Sequence, residues 1–489
     1  MLIGAVALAM LAPAMVALGM EDWRSVRAFT QSAALTGFLA LLLGLAAHGH
    51  PAAVTARGQL LALPAAYLLL PVVLAVPVVW LRPDAGIAAA YLDMIACFTT
   101  TGGSFLPGSA ALPPVLGFWR ALVGWMGGLF VWVSALAILA PLELGGFEVL
   151  GRGPASRRRR IAAAGRVGAR RRHGDLPALA RRLLSIYAGI TLALWLLLGL
   201  VGGGGLPALS AAMSTVATSG ILAGGGEVPG GRAGEALVML FFVFALTRLS
   251  YGHDGAPAPR GLMEDRELRT GLVIAAAAAV LLFLGHWTAG GGALAGAGEM
   301  ARVLWAMAFT ALSFLVTAGF VSADWPAALS WSGESFQAVV LMGLVQIGGG
   351  VATTAGGVKL LRIYVLWRHG RREMARLVHP SVTERLGWAG APLSRRGVYL
   401  AWIFFMLFAL AIALTSAALG IAGLSFEASV AHALAALTTT GPLAVIAGGG
   451  AGFAALDGPA QAVLAAAMIL GRLETLALVA MFDPALWRR

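Results

Sequence analysis

The sequence predicts an all-α integral membrane protein, with two leading transmembrane helices and then four pseudo-repeated helix–pore loop–helix units around one central pore. Of its 489 residues, 59% are hydrophobic and 11% are charged, whereas soluble domains carry about 25% charged residues. The apolar runs are continuous rather than alternating, which excludes a porin-type barrel. Four short apolar stretches, each followed by a threonine, a small residue and a glycine, indicate the internal repeat.

Ten apolar segments approach the roughly 20 residues that a helix needs to cross a bilayer. They are residues 3–20, 32–48, 60–81, 116–140, 183–201, 235–249, 271–287, 335–367 (interrupted), 399–422 and 459–482. A further apolar stretch, too short to cross, lies within each of the last four pairs of spans. These stretches are residues 87–98, 207–217, 302–315 and 428–437. The repeating unit is therefore a span, a short helix, a loop and a second span.

This repeat divides the chain into five segments. Residues 1–50 form the two leading helices, and residues 51–150 form pore unit 1. Residues 151–260 contain a basic cytoplasmic loop and pore unit 2. Residues 261–376 form pore unit 3 with a glycine-rich broken inner helix, and residues 377–489 contain a cytoplasmic loop and pore unit 4.

Basic residues cluster in three parts of the chain. Eleven arginines and one acid lie between Arg152 and Arg182, and further basic stretches cover residues 260–269 and 362–396. The positive-inside rule places these loops on the cytoplasmic side of the plasma membrane. The net charge of +12 then reflects membrane topology and anionic membrane lipid rather than binding of nucleic acid.

The four triplets are the predicted functional centre. They are Thr100, Thr101 and Gly102; Thr218, Ser219 and Gly220; Thr317, Ala318 and Gly319; and Thr439, Thr440 and Gly441. Re-entrant backbone at membrane depth is tolerated only where it is buried in protein or lines water, so four such loops indicate a central cavity. Small side chains let backbone carbonyls replace the hydration shell of an ion. Because the triplets contain no acid, they favour a weakly hydrated monovalent cation over Ca²⁺ or Mg²⁺.

A single triplet is a weak signal, because small residues crowd membrane helices for packing. Two other segments, Thr288-Ala289-Gly290 and Thr354-Ala355-Gly356, also fit the pattern. Four triplets in equivalent positions are what favour a functional ring over simple packing.

The second span of unit 3 is interrupted by glycine. Five glycines fall within residues 348–357, and each costs about 1 kcal/mol relative to alanine in a helix. We expect an unwound segment that lines the cavity and acts as a gate, although a kinked packing helix is an alternative. The candidate gate residues are Gly348, Gly349, Gly350, Thr353, Thr354, Gly356, Gly357, Lys359 and Arg472.

Three charged residues in or near apolar segments need a separate explanation. Arg472 lies within the last span, where a charge is costly and indicates function by default. We expect it beside the pore as an electrostatic barrier; a structural ion pair or an extended position at the cytoplasmic end is the alternative. For Lys359 the alternative to a gate residue is a side chain at a helix end that extends to the membrane surface. Asp93 is assigned to the outer vestibule or a pore helix, and Glu227, Asp324 and Asp457 share the presumed outer rim.

At these residues the chain resembles the TrkH-type potassium uptake subunits of the TrkH/Ktr/HKT superfamily. The segments that carry the resemblance are Phe98–Gly102, Ser214–Gly220, Val316–Phe320, Ala436–Pro442, Trp125–Gly128, Thr354–Lys359 and Gly471–Arg488. They extend over nearly the whole chain, including the two leading helices typical of that branch. The fourth triplet differs from the family, which usually has two asparagines where Thr439 and Thr440 stand.

The resemblance implies a set of properties for this chain. K⁺ would be the transported ion, passing down its electrochemical gradient, and no covalently bound cofactor is implied. The expected assembly is a homodimer with one pore per subunit. A cytosolic ring of TrkA-type nucleotide-binding subunits would act on the basic cytoplasmic face as the gating partner.

Two other functional classes compete with this interpretation. A secondary transporter coupled to H⁺ or Na⁺ requires a charged residue at a midplane site, for which Asp93 is the best candidate. An intramembrane enzyme requires a set of catalytic or metal-binding side chains. His286 and His432 are scattered without ligand spacing, and no paired acids accompany them.

Overall fold

The computed structural model is almost entirely helical in the part of the chain that it describes. That part comprises residues 2–48, 56–108, 112–140, 176–223, 227–247, 265–289, 296–326, 334–379, 387–388, 391–392, 395–450 and 452–473. Seven helices within these ranges are long and apolar enough to cross a membrane: Leu2–Gly19, Trp23–Ala46, Gly58–Leu81, Pro114–Leu139, Pro177–Leu200, Arg266–Gly285 and Gly397–Ile421. The predicted all-α membrane fold is confirmed.

The leading helices and unit 1 occupy the first third of the chain. Their helices are α1 (Leu2–Ala9), α2 (Leu11–Gly19), α3 (Trp23–Ala46), α4 (Ala56–Leu81), α5 (Gly86–Phe98) and α6 (Pro114–Ser134). A 3₁₀ turn at Pro83–Ala85 leads into α5, and α6 continues as a π-helical turn at Ala135–Leu139. Phe29 of α3 meets Trp119 of α6 edge to face, with ring centroids 5.6 Å apart, so the leading helices pack directly on unit 1.

Units 2 and 3 follow the same order of elements. Unit 2 consists of α7 (Leu176–Leu200), α8 (Gly205–Ala217), α9 (Gly231–Phe241) and α10 (Val243–Leu246). Unit 3 consists of α11 (Arg266–Ala289), α12 (Ala297–Leu315), α13 (Glu334–Ile347) and α14 (Leu360–Val378). The predicted break in the second span of unit 3 is present, because residues 348–359 separate α13 from α14 and contain no helix.

Unit 4 begins after a pair of short antiparallel strands of two residues each, β1 (Gly387–Trp388) and β2 (Ala391–Pro392). Its helices are α15 (Arg395–Ile421), α16 (Phe426–Leu437), α17 (Pro442–Ala447) and α18 (Gly458–Leu473). A 3₁₀ turn at Phe453–Ala455 precedes α18. The part of the predicted last span beyond Leu473 lies outside the described residues, as do most of the arginines between residues 152 and 182.

The short helices α5, α8, α12 and α16 end at the residues that the sequence predicted: Phe98, Ala217, Leu315 and Leu437. Their beginnings were predicted less well. Helix α12 starts at Ala297, five residues before the predicted start at 302, because its first turn carries Glu299 and so does not read as apolar. Each short helix leads straight into one triplet.

Candidate ion-conduction site

The four triplets close their helices in the same way. In each unit the N–H of the middle residue donates to the carbonyl five residues earlier, and the N–H of the first threonine donates to the carbonyl three residues earlier. In unit 1 these bonds run from Thr101 to Ala96 (2.8 Å) and from Thr100 to Cys97 (2.9 Å). The corresponding pairs are Ser219–Ser214 and Thr218–Thr215, Ala318–Ser313 and Thr317–Phe314, and Thr440–Ala435 and Thr439–Ala436. This is the Schellman closure of a helix, repeated four times.

The first threonine of every triplet has left-handed backbone. The φ values are +55° for Thr100, +49° for Thr218, +58° for Thr317 and +55° for Thr439. This position normally holds glycine, and a β-branched residue there is an outlier. Strain of this kind costs about 1–3 kcal/mol per residue and clusters at functional sites. Four strained threonines in equivalent places indicate that the side chain serves a purpose that glycine would not.

The triplets form a closed ring in chain order, as the tight approaches at their glycines show. A Cβ on Gly102 would lie 1.9 Å from the Ser219 carbonyl oxygen, and one on Gly220 would lie 2.5 Å from that of Ala318. A Cβ on Gly319 would lie 2.9 Å from Cγ of Pro442, the residue after triplet 4.

The fourth triplet returns to the first, because the Gly441 N–H donates to the Thr101 carbonyl at 2.5 Å. Gly102, Gly220 and Gly319 have φ values of +81°, +66° and +73°, whereas Gly441 has an ordinary φ of −54°. Gly441 is required for lack of room rather than for its backbone angle, since a Cβ there would lie 2.2 Å from the backbone nitrogen of Gly103.

The threonine hydroxyls differ around the ring. Thr218 Oγ1 donates to Thr354 Oγ1 (3.2 Å), and Thr317 Oγ1 accepts from the Gly356 N–H (2.7 Å). Thr100 Oγ1 and Thr439 Oγ1 are buried and have no hydrogen-bond partner among the described residues. Two unpartnered hydroxyl oxygens on one ring are suitable ligands for a cation.

The glycine-rich loop (residues 348–359) lies against the ring on the side of the helix ends. Besides the bonds to Thr218 and Thr317, its Thr354 hydroxyl donates to the Val216 carbonyl at 3.1 Å. A Cβ on Gly356 would lie 2.1 Å from the Thr438 carbonyl oxygen. The loop therefore touches units 2, 3 and 4 directly.

Arg472 connects the loop to unit 1. Its Nε donates to the Thr99 carbonyl and its Nη1 to the Thr354 carbonyl, both at 2.6 Å. The side chain is 92% buried, so the alternative of an extended position at the membrane surface is wrong. Its Nη2 has no partner among the described residues.

The rest of the glycine-rich loop is folded tightly on itself. A Cβ on Gly348 would lie 2.2 Å from the Gly356 carbonyl oxygen, and Thr353 Oγ1 donates to the Gly350 carbonyl at 2.7 Å. Lys359 is buried, and its Nζ donates to the Ala355 carbonyl, so this side chain does not reach the membrane surface either. The remaining candidate gate residues, Gly349 and Gly357, are packed as closely. A Cβ on Gly349 would lie 2.5 Å from the Ala355 Cβ, and one on Gly357 would lie 2.6 Å from the Val345 carbonyl oxygen. A cavity of about 40 Å³ borders the loop and is lined by Thr353, Gly356, Gly357, Lys359 and Arg472, among others.

Asp93 does not lie in an outer vestibule. It belongs to α5, the short helix of unit 1, and is fully buried. Its carboxylate accepts from Arg120 Nε (2.9 Å), Ser104 Oγ (2.9 Å) and the Phe105 N–H (3.1 Å). Asp93 thus lies on the short helix of unit 1, where Arg120 balances its charge inside the protein, and the vestibule assignment is wrong.

The other predicted rim acids are at least partly exposed. Glu227 and Asp457 are exposed. Asp324 accepts a hydrogen bond from Arg232 Nε at 2.7 Å, which holds the pKa of Asp324 below its usual value. Both members of this pair therefore remain charged at neutral pH.

Sequence reasoning missed three kinds of supporting residue. Arg120 is the buried partner of Asp93. Glu235 is 1% exposed and accepts from Trp305 Nε1 (2.6 Å), Ser322 Oγ (3.0 Å) and the Ala323 N–H (2.8 Å), so it holds the segment after triplet 3. Serines 214 and 313 support triplets 2 and 3 from within their own helices. A charged residue inside an apolar span was the signal available for Arg120 and Glu235.

The described part of the chain contains no group of three or more His, Cys, Asp or Glu side chains that could hold a metal ion. His432 Nδ1 lies 2.8 Å from the Ala428 carbonyl oxygen of its own helix.

Four equivalent re-entrant loops closed into one ring define a multi-pass helical membrane protein built around a single axis. The chain belongs to the TrkH family, described as cation transport protein, whose profile matches residues 242–488. The resemblance inferred from the motifs is thus confirmed.

Similar proteins carry one consistent description. The Trk system potassium uptake protein TrkH of Salmonella typhimurium is 28% identical over 415 residues, covering 83% of this chain and 80% of that protein. The protein of the same name from Vibrio parahaemolyticus is 28% identical over 423 residues, covering 83% and 81%. The crystal structure of the potassium transporter TrkH from Vibrio parahaemolyticus superposes with a TM-score of 0.81 at 26% identity, covering 99% of this chain and 97% of that one.

Proposed function

We propose that this chain is the membrane-embedded subunit of a potassium uptake system and that K⁺ crosses through the ring of triplets. The observation that carries the proposal is the closure of four equivalent loops into one ring, with Gly441 returning to Thr101. The names of its relatives, Trk system potassium uptake proteins, support K⁺ as the transported ion.

The chemistry of the ring suits a monovalent cation. The short helices direct their C-terminal ends, which carry partial negative charge, towards the triplets. Carbonyl oxygens of the four triplets and the unpartnered hydroxyls of Thr100 and Thr439 then replace the water around the ion. The triplets contain no acidic side chain, which suits K⁺ better than a divalent ion.

The glycine-rich loop and Arg472 form the gate in this proposal. The loop lies against units 2, 3 and 4 of the ring, and Arg472 joins the loop to unit 1. A buried guanidinium at the end of the ring also opposes a cation electrostatically, since charges interact strongly at low dielectric. Conduction then requires the loop and Arg472 to move away from the axis.

The remaining assignments complete the proposal. The five-segment division at residues 1–50, 51–150, 151–260, 261–376 and 377–489 describes two leading helices and four pore units. The basic loops face the cytoplasm of a prokaryotic plasma membrane. The subunit forms a homodimer with one pore per chain, and a TrkA-type nucleotide-binding ring acts on its cytoplasmic face.

A transporter coupled to H⁺ or Na⁺ is disfavoured by the environment of Asp93. Such a transporter needs an acid that titrates or binds the coupling ion near the midplane. The Asp93 carboxylate instead engages Arg120, Ser104 and Phe105. Stoichiometric proton flux accompanying K⁺ uptake by the purified chain would favour the coupled transporter.

The test is growth rescue of a bacterium that lacks potassium uptake, on medium low in K⁺. The wild-type chain should restore growth, and Gly319→Ser should not, because Gly319 has a φ of +73° and a Cβ there approaches the Pro442 ring to 2.9 Å. The matched control is Gly343→Ser in α13, where a Cβ meets nothing within 4 Å. Equal rescue by Gly319→Ser and Gly343→Ser, at equal amounts in the membrane, would count against the ring as the pore.

A further inference from the structure

The glycine-rich loop contains one strained residue that is not glycine near its middle. Ala352 has a φ of +61° and is 5% exposed. Left-handed backbone is unfavourable for alanine because Cβ crowds the following carbonyl. Glycine would remove that strain, and the loop uses glycine at five other positions. The conformation at Ala352 is therefore maintained at a cost by contacts in the folded protein.

Trp132 supplies such a contact. Its indole Nε1–H donates to the Ala352 carbonyl at 3.0 Å, and its side chain is 4% exposed. Trp132 belongs to α6 of unit 1 and Ala352 to unit 3, so this bond joins two units through residues that are 220 apart in the chain. The bond acts on the peptide group that follows the strained φ angle.

Trp132 belongs to a cluster of aromatic side chains. Its ring lies 5.5 Å from that of Tyr187, which lies 5.0 Å from the ring of Trp125. Trp125 in turn donates its indole N–H to Thr191 Oγ1 at 3.0 Å. The π-helical turn at Ala135–Leu139 begins three residues after Trp132, and such turns often occur at functional sites.

We propose that Trp132 is a latch that holds the glycine-rich loop in its closed position against the strain at Ala352. When the loop leaves the ring, the Trp132 bond breaks and Ala352 relaxes into an ordinary backbone conformation. The bond favours the closed state and the strain favours the open state. This inference rests on the proposed gate function of the loop, and it makes Trp132 a positioning residue rather than a group that contacts the ion.

Two substitutions shift the balance in opposite directions. Trp132→Phe keeps an aromatic ring against Tyr187 and removes the N–H, so the open state should gain. Ala352→Gly removes the Cβ and its strain, so the closed state should gain. Each change should alter flux by about 5- to 10-fold, the range in which the effects of one net hydrogen bond and one relieved backbone strain overlap. Combining the two should return the flux close to wild type.

The experiment measures K⁺ flux into liposomes that contain the purified full-length chain. We expect Trp132→Phe to raise the flux, Ala352→Gly to lower it, and the control Trp125→Phe, which loses an indole N–H in the same aromatic cluster, to match wild type. A general packing defect cannot produce this pattern, because it would move both tryptophan variants together and would not give Ala352→Gly the opposite sign.

Three results overturn the latch. The first is wild-type flux in Trp132→Phe. The others are a rise in the flux of Trp125→Phe equal to that of Trp132→Phe, or a rise rather than a fall in the flux of Ala352→Gly. Gly319→Ser is included to separate this inference from the proposed function. If Gly319→Ser conducts like wild type, the proposed pore fails. If Gly319→Ser is inactive while Trp132→Phe is unchanged, the latch alone fails.

Discussion

Triplets 2 and 3 are supported differently from triplets 1 and 4, although all four close their helices in the same way. In units 2 and 3 a serine lies five residues before the middle of the triplet. Ser214 Oγ accepts from the Ile221 N–H at 2.8 Å, and Ser313 Oγ accepts from the Phe320 N–H at 2.6 Å. Each of these helices therefore supports the chain that leaves its own triplet.

Triplets 1 and 4 lack this serine. The corresponding residues are Ala96 and Ala435, and neither has a side chain that forms hydrogen bonds. The chain after triplet 1 is held instead by the buried Asp93–Arg120 pair, and triplet 4 is held by the bond from Gly441 to Thr101. The same loop shape is thus maintained by two different sets of contacts.

The division extends to the glycine-rich loop. The hydroxyls of Thr218 and Thr317 bond to it, whereas those of Thr100 and Thr439 have no partner among the described residues. The ring is fourfold in its helix ends and strained threonines but twofold in chemistry. We infer that one half responds to the loop, while the hydroxyls of the other half remain available to the ion.

The largest expected effect comes from breaking the support of triplet 1. Asp93→Leu leaves Arg120 buried without its partner, which costs about 3–5 kcal/mol, and also removes the acceptor for Ser104 and Phe105. We expect a lower midpoint of thermal unfolding in detergent and loss of K⁺ flux in liposomes.

The double variant Asp93→Leu/Arg120→Met is the control for this prediction. Replacing both members of a buried pair with apolar residues is often neutral or stabilising, so the unfolding midpoint should recover. Flux should stay low, because Ser104 and Phe105 still lack their acceptor. A single Asp93→Leu variant with wild-type stability would mean that unit 1 does not depend on this pair.

The sequence predicted the triplets and the broken helix well because both depend on local chemistry. A glycine that follows an apolar run is a local signal for the end of a helix, so the last residues of α5 and α12 were predicted correctly. Five glycines within residues 348–357 unwind a helix regardless of its neighbours. These features need no knowledge of the tertiary structure.

The supports of the ring could not be predicted because their partners are distant in the chain. Glu235 and Ser322 are 87 residues apart, and Trp132 and Ala352 are 220 apart. Nothing in the local pattern around Asp93 indicates that Arg120 will neutralise it, so the assignment of Asp93 was left open between an outer vestibule and a pore helix. Contacts between units were the information that the sequence alone did not contain.

An intermediate effect is expected from removing the serine that supports triplet 2. Ser214→Ala leaves the buried Ile221 N–H without its acceptor, at a cost of about 1–3 kcal/mol. Since this bond shapes the chain leaving the triplet, the ratio of K⁺ to Na⁺ flux should fall. Ser210→Ala on the same helix is the control, because the buried Ser210 hydroxyl has no partner among the described residues. Equal selectivity in the two variants would show that units 2 and 3 do not need the serine.

The smallest effect distinguishes the two halves of the ring by the hydroxyl alone. Thr317→Val removes the acceptor of the Gly356 N–H and should loosen the glycine-rich loop, raising flux about 2- to 10-fold, as expected for one net hydrogen bond. Thr439→Val removes a hydroxyl that the loop does not use, so the maximal flux should hold while the K⁺ concentration for half-maximal flux rises. Both variants keep a β-branched residue at the strained position, so backbone conformation is matched. If the two variants change maximal flux and half-saturation alike, the ring is fourfold in chemistry as well as in its strained threonines, and the division between its halves has no functional meaning.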